Sequence, residues 1–134
     1  MADQQLPQPV QDFVDQIRTY CAEGKTDEDL WPTVAIHLKE LLEDPDLVAQ
    51  SKTWPDTKKG DGPPSNLLFY EDPDYGFVLN ALVKGPNSVT NVHDHGPSWT
   101  LYGVLDGGEH IQRFSRADDN PTEEGPAELK FNGE

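Results

Sequence analysis

Residues 90–107 read TNVHDHGPSWTLYGVLDG, and the fold assigned to the chain turns on how that stretch is read. His93 and His95 stand one residue apart among β-branched, apolar and aromatic positions. As a strand, the run alternates its side chains between two faces, so both imidazoles project to one side, their roots about 6–7 Å apart. Two imidazoles on one face can converge on a single ion at about 2.0–2.1 Å. Asp94 points the other way and cannot share that ion unless the strand breaks.

The same texture extends to either side. Short apolar runs at 67–70, 77–83, 88–95, 99–105 and 109–114 are separated by Asp72-Pro73-Asp74, Gly85-Pro86-Asn87, Gly96-Pro97 and Asp106-Gly107-Gly108. Each cluster carries residues that favour turns, so the pattern predicts an antiparallel sandwich or barrel. Leu129 and Phe131 begin another strand beyond an acidic, turn-rich stretch. Upstream, 51–66 holds three prolines, two glycines and three lysines and reads as a surface connection, with Trp54 pinning it to the core.

Ahead of that connection the period is helical. Val10, Phe13, Val14, Ile17 and Cys21 recur on one face, and Gly24 is placed to stop the helix. Thr26 and Asp29 have capping-box spacing, and Pro32 suits the first turn of a second helix burying Val34, Leu38, Leu41 and Leu42. His37 lies off that stripe and reads as a solvated histidine. Pro45 opens a third short turn through Leu47 and Val48. The chain thus divides into a helical segment over 1–50, a connection over 51–66 and a β region over 67–134, one domain in all.

Composition excludes several function classes. Among 134 residues, 25 are acidic and 10 basic, a formal charge of −15 that leaves no basic surface for nucleic-acid phosphates or an anionic membrane. No apolar run reaches the roughly 18 residues of a membrane-spanning helix. The single cysteine, Cys21, rules out an internal disulfide and a cysteine-based zinc site. The expectation is a soluble, cytoplasmic protein.

Segment 90–107 resembles the first motif of the cupin superfamily, which runs Gly, five residues, His-x-His, three or four residues, Glu, six residues, Gly. His93, His95 and Gly107 match; Thr100 stands at the glutamate position and Asn87 at the first glycine, where asparagine tolerates left-handed backbone. Loss of that glutamate, with HDHG followed by a tryptophan and GVL, is similar to the thiol dioxygenases, the cysteine and 3-mercaptopropionate enzymes. The resemblance covers roughly residues 30–115. It implies a mainly β, cupin-type jelly-roll barrel behind two or three helices, with iron(II) on His93 and His95. The implied reaction oxidises a small carboxylated thiol to a sulfinate. Thr100 cannot form the Cys–Tyr crosslink of the animal enzymes. The second cupin motif, which carries the remaining histidine, has no match after Gly107. The chain is therefore either cut short of that motif or has an incomplete one.

A two-residue Asp106-Gly107 turn would pair Thr100 with Arg113 on the inner face and turn His110 outward, away from the ion. Arg113 could then fork onto a substrate carboxylate, or serve as an ordinary surface ion pair. Two other functional readings stay open. One is a non-catalytic or incomplete cupin acting as a ligand-binding or dimerisation module, which makes a homodimer an expected partner. The other is a zinc, nickel or manganese lyase or isomerase on the same barrel.

Overall fold

The computed structural model describes residues 6–54, 65–117 and 128–134. Among these residues three helices form: α1, Gln8–Ala22; α2, Asp27–Leu42; and α3, Pro45–Ser51. Four strands follow among them: β1, Ser65–Glu71; β2, Val78–Val83; β3, Arg113–Arg116; and β4, Leu129–Gly133. They make two separate two-stranded antiparallel sheets, β1–β2 and β3–β4.

The jelly-roll barrel expected from the sequence is not what forms. Among the described residues no barrel closes, and the two runs that would have been its central strands, 88–95 and 99–105, are not strands at all. The physical reason is that, among the described residues, neither run has a neighbouring strand to receive its N–H and C=O groups. The turns that bound them do form: Asn87 takes φ +62° and Gly96 φ +63°, both in the left-handed region, and the Asp94 carboxylate accepts the Gly96 N–H at 2.9 Å. The Asp106-Gly107 hairpin does not set the expected register either. Arg113 pairs with Gly133 across β3–β4 instead of with Thr100. Most of the expected connection, 55–64, and the acidic stretch 118–127 lie outside the described residues.

The helical half holds the core. Val10, Phe13 and Ile17 of α1 pack with Leu30, Val34 and Leu41 of α2 and Leu47 of α3. The periodicity of α1 put its buried face there, and Gly24, at φ +79°, takes the left-handed turn that ends the helix. Helix α2 starts a turn earlier than Pro32 suggests, because Asp27, Glu28 and Asp29 place negative charge at its N-terminus. Pro32 therefore sits inside the helix, and the Thr26 hydroxyl donates to the Asp29 carboxylate at 3.3 Å instead of capping a backbone N–H. Helix α3 has the side-chain cap that α2 lacks, with Asp44 Oδ1 accepting from the Leu47 N–H at 2.9 Å. His37 is not simply solvated: its Nε2 lies 2.8 Å from the Tyr20 hydroxyl and ties α2 to α1.

The β1–β2 hairpin lies against these helices through alternate residues. Phe77 and Leu79 pack onto the helical cluster, as does Trp54, which meets Phe69 edge-on at 5.1 Å. Leu68, Val78 and Leu82 face outward and remain exposed. The turn between the strands is built around Asp72, whose buried carboxylate accepts from the Asp74 and Tyr75 N–H groups and from the Tyr70 hydroxyl. Arg18 of α1 reaches across to Asp72 with one guanidinium nitrogen and to Asp74, at 2.7 Å, with the other. Helix and hairpin are joined at this point.

Candidate metal centre

Between β2 and β3 the chain runs from Lys84 to Gln112 without regular structure, and this loop carries both histidines. It is held at several points. Lys84 Nζ and Glu109 Oε1, 2.6 Å apart, bridge the two ends of the loop. Lys52 Nζ meets Asp106 at 2.8 Å and, by that hydrogen bond first, holds the Asp106 carboxyl below its ordinary range. Leu101 and Leu105 pack onto the helical cluster, and Gly103 lies so close to Leu42 that a side chain there would overlap it. The limb over 86–100 is exposed throughout.

On that limb His93 and His95 stand with ring centroids 5.3 Å apart and planes at 76°. Two imidazoles on one tetrahedral ion, each bound through a nitrogen at about 2.0–2.1 Å, hold their centroids roughly 5.2 Å apart. The separation fits. The pair stands on irregular loop, not on the strand read in the sequence.

The ring of His93 is oriented by its neighbour. Its Nδ1 lies 2.6 Å from the Asn91 carbonyl oxygen. A carbonyl only accepts, so Nδ1 carries the proton and the neutral ring keeps its lone pair on Nε2. An N–H held by a backbone carbonyl is the usual support of a metal-binding histidine. Imidazole nitrogen suits iron(II), zinc, nickel and copper alike, so the donor set fits the ion the resemblance implies without selecting it. The fit covers two ligands and stops there. Among the described residues no group of three His, Cys, Asp or Glu side chains is placed to hold a metal ion.

The remaining residues singled out in the sequence lie apart in the hydrogen-bond pattern. His110 is almost fully exposed, and its Nδ1 meets Glu134 at 3.0 Å. Arg113 begins β3 and is exposed, so the register that would have set it opposite Thr100 is absent. Asn87 does adopt the left-handed backbone expected of it. Sequence reasoning missed the Arg18–Tyr70–Asp72 cluster. An aspartate before proline in a turn signals that its carboxylate caps the next N–H groups, but nothing local announces an arginine 54 residues away.

No protein-family model, no curated protein and no solved structure matches this chain.

Proposed function

We propose that the chain binds a divalent first-row transition metal through His93 and His95. The observation that carries the reading is the imidazole pair, with centroids 5.3 Å apart and the Nε2 of His93 left free by its Asn91 contact. Isothermal titration of chelator-treated protein with zinc tests it. His93→Ala and His95→Ala are each expected to weaken binding on the order of 100-fold, since one imidazole alone holds an ion poorly. Circular dichroism should be unchanged, because both histidines lie on the exposed limb of the loop and not on the part that packs against the helices. Equal affinity in the double variant would overturn the proposal.

With iron(II) as the ion, the centre would supply the redox chemistry by which thiol dioxygenases carry out RSH + O₂ → RSO₂H. The protein's part is to hold a face of the ion, and two histidines hold it less firmly than the three those enzymes use. We therefore expect the isolated chain, given iron(II) and cysteine or 3-mercaptopropionate, to show little or no oxygen uptake on an electrode. Sustained uptake stoichiometric with thiol would place a third ligand in this chain, and His110 would be the first residue to replace. Arg113 as the group that receives the substrate carboxylate belongs to the same proposal.

Among the described residues no helix is long and apolar enough to cross a membrane. A cytoplasmic setting is also part of the proposal. Cys21 supports it, as a free cysteine in a chain with no second cysteine to form a disulfide. The acidic balance supports a small-molecule substrate over nucleic acid.

A further inference from the structure

We infer that the His93–His95 pair is one half of a metal site completed by a second copy of this chain. A zinc-type ion would bridge two protomers and take two imidazoles from each. The inference rests on the metal-binding reading above and adds to it the identity of the missing ligands.

Three observations carry it. The first is the coordination count. A tetrahedral ion takes four ligands, and among the described residues no third side chain joins the pair. A two-fold axis through the ion supplies the other two with no further sequence requirement, since an isologous contact repeats the same residues on both sides. The second is position. Both histidines lie on the exposed limb of the loop, away from the helical core, where another chain can reach them.

The third is charge. Residues 85–105 contain a single charged side chain, Asp94, in a chain whose charged fraction is 26%. The same stretch exposes Val89, Val92, Trp99 and Val104. Depletion of charge together with exposed aromatic and aliphatic side chains is the composition of an interface core. Two copies that each carry −15 repel one another, so a close contact between them belongs on the stretch where that charge is missing. A divalent cation at its centre offsets the two Asp94 carboxylates that come with it.

The test is light scattering coupled to size exclusion on the full chain, with zinc titrated from zero to one equivalent. The 15.0 kDa mass should double, with saturation at one zinc per two chains, and a chelator should reverse it. His95→Ala should remain monomeric at the same zinc concentration. Val92→Lys keeps both imidazoles and places a cation on the contact; it should weaken the dimer at least tenfold while zinc still binds. Zinc bound at one per chain without a change of mass would overturn this inference and leave the metal site standing. No zinc bound at all would remove both. A zinc-dependent dimer that survives His93→Ala and His95→Ala together would place the bridging ligands elsewhere and overturn the inference.

Discussion

Replacing Asp72 by alanine is expected to lower the melting temperature by on the order of 10 °C, the largest loss foreseen for any polar residue in the chain. Its side chain is fully shielded from solvent and accepts from four donors: the Tyr70 hydroxyl, the Asp74 and Tyr75 N–H groups and the Arg18 guanidinium. Alanine would leave those donors without an acceptor at the point where α1 meets the β1–β2 hairpin, and an unpaired buried group costs more than a lost exposed bond. Burial by itself raises the Asp72 pKa. The Tyr70 hydroxyl, the Tyr75 N–H, Arg18 and the Asp74 N–H together outweigh it and hold the carboxyl at about 2, against an ordinary 3.8.

The pH dependence follows from that depression. Between about pH 4 and pH 2 the unfolded chain takes up a proton at this position that the folded chain refuses, so stability contributed by Asp72 is present above pH 4 and lost as pH falls toward 2. Asp72→Asn keeps one acceptor oxygen for the turn but presents an N–H₂ to the arginine. It should fall between the native protein and Asp72→Ala in melting temperature and lose stability less steeply across that pH window. An unchanged melting temperature for Asp72→Ala, followed by circular dichroism at pH 7, would show that the cluster does not join the two halves.

The second large effect belongs to the core. Phe13→Ala should cost about 3–4 kcal/mol in urea unfolding, from lost burial of the ring plus the cavity it leaves. Phe13 is 7% exposed and belongs to the cluster that holds Val10, Ile17, Val34 and Leu41. A domain of this size has only about 5–15 kcal/mol in total, and the variant should be visibly unfolded by modest denaturant. The slope of the transition should stay the same, since the surface exposed on unfolding changes little. A midpoint within error of the native protein would mean that the helical cluster is not the stabilising core.

These two residues also mark where the sequence could and could not be read. Phe13 was legible because a helix repeats every 3.6 residues and its buried face declares itself within fifteen positions. The β1–β2 hairpin was legible for a similar reason: its two apolar runs are separated by a proline-containing turn. The segment over 88–105 misled because alternation of apolar and polar residues is necessary for a strand and not sufficient. A strand needs a neighbour to receive its N–H and C=O groups, and among the described residues none lies beside this one. The histidine pair is legible from its spacing, although the rings stand on a loop and not on a strand. Asp72 reads from sequence only as a turn former, because its partner Arg18 is 54 residues away and no periodicity links them.

The two small sheets give the acidic composition a meaning beyond the ligands it excludes. β1–β2 and β3–β4 are ribbons, and among the described residues no further strand lies along their outer sides. Short ribbons bearing exposed Leu68, Leu82, Leu129 and Phe131 present apolar side chains that favour stacking of extended chains. A formal charge of −15 makes every copy a colloidal particle that keeps its neighbours at arm's length. The carboxylates thus act as a dispersant for ribbons that expose apolar side chains. Acidification, by neutralising them, would turn the same molecule from a well-spaced solute into a self-adhesive one.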